Sequence, residues 1–514
     1  MLNTKLPGRS SVTVIGLLIF FVPFFTYLSP ENLRQLSKSN VLEILLSLII
    51  ILVVIFISSF SVEMLMKRFF KKKIMLFPLL CFAFYLNFLY IPFYESVQEF
   101  IYPTIDHFFE IRSSYPFFIF FELCCLAIIV FGAKFNVFSI RMILIFSIFM
   151  LINAFIPLVG YLAETGKNPT ISYEIESSSL TQDQILTERN VYYIILDGMM
   201  AIETAAQENI AAKKEVLGNL SNVGLTYIDK SKSSYSGTYT TLASIMLVDY
   251  HQKPSSPKYV DRTNFFPFMM YNISTELPLI SYLTKANSSF IWTGNWWGPC
   301  HTSNKVSCTN LFTKFPSKYL VKFYSTTPLH HFILKFLDSY KSHTIGKFIE
   351  YIDKNGVPTT PFFAFIHHLS PHPPYLVTNE CEPTKYGNQH FEGYKASYQC
   401  ALKKVKMFME KINNIDPEAI VVFQADHGWN ELDLDLTEKE KYLFRGKIFN
   451  AIKAPEFCFD KYGLPQTNVN TIRFVLNCAY GFKLPYRENI HYENFSAVNL
   501  NPYYGTVIER KLYE

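Results

Sequence analysis

Residues Ala419–Asn430 read AIVVFQADHGWN. The first half is β-branched and apolar, the composition of a strand buried on both faces. It ends on Asp426, His427 and Gly428, two metal-capable side chains and a glycine. In open α/β sheets, ligands sit outside the carboxyl ends of the strands, so a core strand with such an ending points to a chemical site at a sheet edge. In a continuing strand Asp426 and His427 would face opposite ways. A break after the strand, which Gly428 permits, lets both reach one ion.

Two other segments end in the same manner. NVYYIILDG (190–198) reads as a buried strand ending on Asp197, and PFFAFIHH (361–368) as one ending on His367 and His368. ASYQCALKKVKMFMEKINN (396–414) reads as an amphipathic helix with one basic face. Strands alternating with helices predict an α/β domain, its sheet mainly parallel and covered by helices on both faces. One charged residue at a strand end is ordinarily a solvated turn; three such ends on one edge weaken that reading. Asp197 and Asp426 offer oxygen and His427 nitrogen, a set suited to zinc or manganese and acceptable to magnesium.

A nucleophile is expected in SYSGTYTTLASIMLVDY (234–250), where a Ser/Gly-rich turn runs into a helical apolar pattern. Thr238 then stands at a helix N-terminus, where unpaired N–H groups and the dipole favour an alkoxide or a phosphate. Taken alone, the segment favours a plainer role for Thr238 as a helix cap. Thr240 and Thr241 are positional rivals. In HHLSPHPPY (367–375), His367 and His372 are five apart across a Ser-Pro turn, placed to hold a phosphoryl oxygen or a second ion, while His368 reads as structural. Trp296 and Trp297 in NWWGPCH (295–301) offer an aromatic wall to a substrate pocket, against the commoner core or membrane-interface role.

The chain has 514 residues, 50% of them hydrophobic and 17% aromatic, too apolar for an ordinary soluble protein. The excess lies at the N-terminus, in five runs at about 12–28, 41–60, 75–94, 116–132 and 142–162. Each approaches the roughly 20 residues that cross a bilayer; the fourth is marginal and contains Glu122, so a buried or re-entrant helix is its alternative. Lys5 and Arg9, the cluster Lys67, Arg68, Lys71, Lys72 and Lys73, and the pair Lys134 and Arg141 mark cytoplasmic sides. Glu95, Glu99, Asp106 and Glu110 mark an outer loop. Five crossings with a cytoplasmic N-terminus deliver the rest of the chain outside. The expected organisation is a five-helix membrane domain over 1–163, a polar linker over 164–189 and an extracytoplasmic domain over 190–514. Cys300, Cys308, Cys381, Cys400, Cys458 and Cys478 all fall in that exported part, and pairing by nearness gives 300–308, 381–400 and 458–478 among 15 possible connectivities. The net charge of +5 is too small to indicate nucleic acid.

Taken in order, NVYYIILDG, GTYTTLAS, HHLSPHPPY and QADHG after five membrane helices resemble the alkaline phosphatase superfamily. More narrowly, they resemble its sulfatase-like, membrane-anchored branch of lipoteichoic acid synthases and phosphoethanolamine transferases. FNAIKAP (449–455) and NVNTIRFVLN (468–477) also look like segments of this branch. The resemblance implies Asp197, Thr238, Asp426 and His427 as ligands of a catalytic divalent ion, with Thr238 the nucleophile. It implies His372 as a contact of the transferred phosphoryl group or a second ion, and matches His367 to the histidine five residues earlier. Phosphoethanolamine transferases commonly carry a further histidine soon after DHG; none follows here until His491, which leaves a second ion open.

The branch's reaction moves a phospholipid head group, from phosphatidylglycerol or phosphatidylethanolamine, to a cell-envelope glycan or its lipid-linked precursor through a phospho-threonine. The missing histidine tips the expectation toward phosphoglycerol. The implied location is a bacterial-type inner membrane, catalytic domain on the periplasmic or extracellular side. Phosphodiester hydrolysis is the alternative, and an inactive binding protein a weaker one. True sulfatases need a C/S-x-P-x-R motif for formylglycine; CEPTK (381–385) comes nearest but ends in lysine and lies after the histidine motif.

Overall fold

The structure is a computed structural model and describes residues 9–28, 38–70, 76–88, 123, 148, 152, 189–251, 276–294, 308–311, 323–324, 327, 344–373, 375–388, 391–429, 444–496 and 505–510. They fall into two compact units, Met1–Asn168 with Thr313–Leu337, and Pro169–Phe312 with Asp338–Glu514. The expected catalytic stretch 190–514 is thus interrupted by a segment that groups with the N-terminal helices.

The first unit contains α1 (Arg9–Tyr27), α2 (Lys38–Phe70) and α3 (Leu76–Asn87). They coincide with the first three apolar runs. Among the described residues one helix is long and apolar enough to cross a membrane, through Val41–Leu65 of α2, and α1 carries a shorter apolar stretch, Gly16–Tyr27. Twenty-five helical residues rise roughly 37 Å, more than the hydrocarbon thickness of a bilayer. Ile50, Val53, Val54 and Ile57 are exposed on α2. Phe20, Phe24, Ile44, Leu48 and Phe77 pack the three helices together. The fourth and fifth runs lie outside the described residues, apart from isolated positions.

The second unit is built on a seven-stranded sheet. Its strands, in chain order with two smaller hairpins, are β1 (Val191–Leu196), β2 (Thr226–Tyr227), β3 (Ser289–Thr293), β4 (Cys308–Asn310), β5 (Phe362–His368), β6 (Tyr375–Val377), β7 (Pro383–Asn388), β8 (Ile420–Gln424), β9 (Asn450–Lys453), β10 (His491–Ser496) and β11 (Gly505–Arg510). The sheet order is β2-β9-β8-β1-β5-β3-β4. The strands from β8 to β4 pair in parallel, as predicted. The sheet as a whole is mixed, because β9 runs antiparallel to β8 and β2 antiparallel to β9 at one edge.

Strand β1 shows why both faces are covered. All six of its residues are buried. Val191, Tyr193 and Ile195 join one core with α4 (Thr238–Leu247) and α6 (Asn468–Tyr480), named here with α5 (Phe391–Ile415) between them. Tyr192, Ile194 and Leu196 join the other core, with Tyr394, Tyr398 and Phe408 of α5. Alternation along a strand sends successive side chains to opposite faces, so a continuous apolar run needs helices on both. Each fully buried aliphatic side chain contributes about 1.5–3 kcal/mol. Two disulfides tie the helices down, Cys381–Cys400 and Cys458–Cys478, the pairs that nearness predicted. The third expected pair includes Cys300, outside the described residues.

Candidate active site

Strand register brings the polar endings together. Ile195 of β1 stands opposite His367 of β5 and Gln424 of β8. Ile195, His367 and Gln424 lie on the strand face that α4 and α6 cover, and two residues beyond Ile195 and Gln424, past the ends of both strands, lie Asp197 and Asp426. The His367 Nε2–H donates to Asp197 Oδ2 at 3.0 Å. The Asp197 amide donates to the His368 carbonyl at 3.0 Å, which extends the pairing by one residue and fixes where the aspartate emerges. His367 is fully buried. Expected at a phosphoryl oxygen or a second ion, it has the Asp197 carboxylate as its partner in the structure.

Strand β8 ends at Gln424, and the chain turns so that Asp426 and His427 face the same point. Asp426 Oδ1 accepts from the Gly198 amide at 3.1 Å and from the His427 amide at 2.9 Å. The His427 Nδ1–H donates to the Gly428 carbonyl at 2.6 Å, leaving Nε2 with its lone pair outward, the tautomer that suits a metal ligand. Gly428 serves differently from the expectation. Its backbone is not among those with positive φ. A Cβ there would lie 1.9 Å from the Phe444 carbonyl oxygen, so glycine is required by the close approach of the backbone at Phe444, and the adjacent Arg445 carbonyl accepts the Gly428 amide at 2.7 Å.

Thr238 opens α4, with Gly237 as the N-cap residue and no side-chain cap. Thr238 is therefore not the cap that the isolated segment suggested. Its hydroxyl donates to His427 Nε2 at 3.2 Å. The rival threonines turn away: Thr240 donates to the Gly237 carbonyl and Thr241 to the Tyr235 carbonyl. The turn before Thr238 is pinned from two sides. Arg445 Nε donates to the Ser236 carbonyl. Asn468, fully buried at the start of α6, accepts from the Ser234 amide at 2.8 Å and donates to the Ala425 carbonyl at 2.9 Å. One side-chain amide thus links the nucleophile turn to the backbone preceding Asp426. Sequence reading gave Asn468 no role; the only available signal was its place in the NVNTIRFVLN segment. His491 also returns beside this turn, its Nδ1 2.7 Å from the Ser233 carbonyl.

A cation fits this arrangement. Asp197, Asp426 and His427 each offer a ligand atom, all within 4.8 Å of one another, and all three residues are buried. His427 Nε2 is 3.7 Å from Asp197 Oδ1 and 3.6 Å from Asp426 Oδ2. Both of those carboxylate oxygens are buried without a hydrogen-bond partner, a costly state that a bound cation would relieve. Burial pushes the Asp197 carboxyl up, but the neighbouring imidazoles of His372, His367 and His427, with the His367 hydrogen bond, outweigh it and hold the group well below the usual carboxylate range. His372 is half-buried, its ring centroid 6.3 Å from that of His427, and its Nδ1–H donates to the Pro373 carbonyl at 2.7 Å. His368 is fully buried. Trp296 and Trp297 lie outside the described residues. Trp429, beside the DHG motif, is buried and donates to the Tyr375 hydroxyl at 3.1 Å.

Fold and site define a class: an α/β domain that presents a helix-terminal threonine to a carboxylate–imidazole cluster at the carboxyl edge of its parallel strands. The family profile described as Sulfatase matches residues 191–448, half of the chain, and the protein belongs to that family. The structure is similar to the integral membrane lipooligosaccharide phosphoethanolamine transferase A (EptA) of Neisseria meningitidis, with 12% identity, TM-score 0.41, and 94% of this chain and 98% of that chain covered. It is similar also to the C-terminal periplasmic domain of EcEptC from Escherichia coli, at 11% identity and TM-score 0.40, covering 62% and 92%. For the lipoteichoic acid synthase LtaP of Listeria monocytogenes the values are 14% and 0.36, covering 58% and 73%. Comparison with curated protein sequences gives no match. Cys381, in the CEPTK segment, is bonded to Cys400.

Proposed function

We propose that the protein is a metal-dependent transferase that moves a phosphoglycerol or phosphoethanolamine head group from a membrane phospholipid to a cell-envelope glycan, by way of phospho-Thr238. The observation that carries this reading is the Thr238 hydroxyl at 3.2 Å from His427 Nε2, beside two buried carboxylate oxygens without partners. A nucleophile placed against a cation-binding cluster suits a phosphodiester better than a neutral ester, because the transition state concentrates negative charge on phosphoryl oxygens.

A divalent ion held by Asp197, Asp426 and His427 would lower the hydroxyl pKa of Thr238 and offset that charge. Thr238 Oγ bonds to phosphorus while the bond to the diacylglycerol oxygen breaks, and diacylglycerol leaves with the hydroxyl proton. The acceptor hydroxyl then attacks phosphorus and frees Thr238. His367 keeps Asp197 oriented through both steps. To His372, which is half-buried, we assign the contact with a phosphoryl oxygen. Membrane anchorage by the N-terminal helices, with the catalytic domain outside, confines enzyme and lipid donor to one surface. Phosphatidylglycerol is the preferred donor on the missing histidine after DHG.

The test is mass spectrometry of the full chain incubated with labelled phosphatidylglycerol or phosphatidylethanolamine. A phosphoglycerol or phosphoethanolamine adduct on Thr238, absent from Thr238→Ala, is expected. Release of head group to water with no glycan acceptor present would move the reading to a phosphodiesterase. Full turnover by Thr238→Ala would sink the mechanism.

A further inference from the structure

The chain passes between its two units at 168/169, 312/313 and 337/338. The second and third passages enclose Thr313–Leu337, whose described residues sit among the N-terminal helices. Phe323 is 2% exposed there, in the cluster of Phe20, Ile44 and Leu48. Its ring centroid lies 4.9 Å from that of Phe88 and 5.2 Å from that of Tyr27. The Tyr324 hydroxyl is 2.9 Å from Ser47 Oγ, within the membrane-length stretch Val41–Leu65 of α2.

We propose that Phe323 and Tyr324 form an anchor by which the sulfatase-family half of the chain is attached to the helix bundle, independently of the polar linker at 164–189. The occupant of this apolar site is a segment of the chain itself. The polar stretch at 164–189 joins the two units at a single passage of the chain. A buried aromatic ring and a hydroxyl pair on α2 add a second attachment, about 150 residues further along the sequence. Burial of Phe323 excludes it from a solvated loop, and the tyrosine–serine pair gives the contact a defined partner. A catalytic domain that must meet a lipid gains from being held at two points, since freedom of the tethered domain lowers the rate of encounter with the surface. The inference rests on the reading that the N-terminal helices lie in a membrane.

The experiment uses the full chain in membranes, with a specific protease site inserted between residues 164 and 189. After cleavage and a high-salt wash, both fragments are expected in the pellet. With Phe323→Asp and Tyr324→Asp together, the C-terminal fragment is expected to be lost to the supernatant while the N-terminal fragment stays. To separate docking from insertion into lipid, a benzophenone amino acid at position 324 of the otherwise unaltered chain is photoactivated, and crosslinks to α2 peptides containing Ser47 are expected. This second measurement does not depend on the folding of the double variant. Release of the wild-type C-terminal fragment alone, or crosslinks to lipid only, overturns the anchor. Release of both fragments overturns the membrane reading and the anchor with it.

Discussion

The buried carboxylates of the site make a prediction whose sign depends on metal. Asp197 Oδ1 and Asp426 Oδ2 are both buried without partners, and an unsatisfied buried polar atom costs about 1–3 kcal/mol, more when charged. Asp426→Asn removes one of the two charges at nearly constant volume. The metal-free variant is therefore expected to be at least as stable as the metal-free wild type. A cation at 100 times its Kd stabilises the folded wild type by about 2.7 kcal/mol. Unfolding entropy near 2.1 cal/mol/K per residue, over the roughly 260 residues of the matched domain, gives about 0.5 kcal/mol/K. The expected Tm rise is then about 5 °C. Asp426→Asn should lose most of that rise, because a neutral amide oxygen replaces an anionic ligand. The assay is thermal unfolding of the full chain in detergent at one scan rate, after chelation and then with manganese, zinc or magnesium added singly. No rise with any of the three in wild type, or an undiminished rise in Asp426→Asn, would refute the assignment of the cluster to a cation.

Three further outcomes are expected. Gly294→Ala should destabilise the domain by about 2–3 kcal/mol, because Gly294 has φ +146° and its Cβ would lie 2.6 Å from the His367 carbonyl oxygen; chemical denaturation measures the loss, and reduced turnover should accompany it through displaced His367. Asn468→Ala leaves the Ser234 amide and the Ala425 carbonyl without their partner, so a loss of about 2–5 kcal/mol is expected in denaturation, with turnover falling more than donor binding. Lys404, on α5, is depressed to about 8 by burial. A base whose folded pKa is lowered binds fewer protons folded than unfolded between that value and its ordinary 10.5, so stability should rise as pH climbs through this window. Lys404→Met should abolish that rise, and a slope unchanged in the variant would assign it to another group.

Much of the site was legible because its parts are local. An apolar strand body followed by Asp or His is a short-range pattern, and NVYYIILDG, PFFAFIHH and AIVVFQADHG all show it. The cysteine pairs 381–400 and 458–478 are separated by 19 and 20 residues, close enough for nearness to choose correctly. The family resemblance that these ordered segments carry implies Asp197, Thr238, Asp426 and His427 as candidates. The apolar runs of α1, α2 and α3 were likewise visible as composition.

What the sequence could not supply depends on partners distant along the chain. The register of β1 with β5 and β8 decides that Asp197, His367 and Asp426 meet at one edge of the sheet. The same register brings His367 to Asp197, 170 residues away. Thr238 differs from Thr240 and Thr241 in its partner, since its hydroxyl meets His427 Nε2 while theirs donate to backbone carbonyls. Gly428 is glycine because the Phe444 carbonyl passes over it, a contact with no trace in local conformational preference. The antiparallel edge at β9, the Asn468 bridge and the grouping of Thr313–Leu337 with the N-terminal helices have the same origin. Sequence by itself determined which residues could do the chemistry and where apolar surface had to be hidden; tertiary structure decided which of them meet, because contact across hundreds of residues is set by strand register and packing and not by neighbours in the chain.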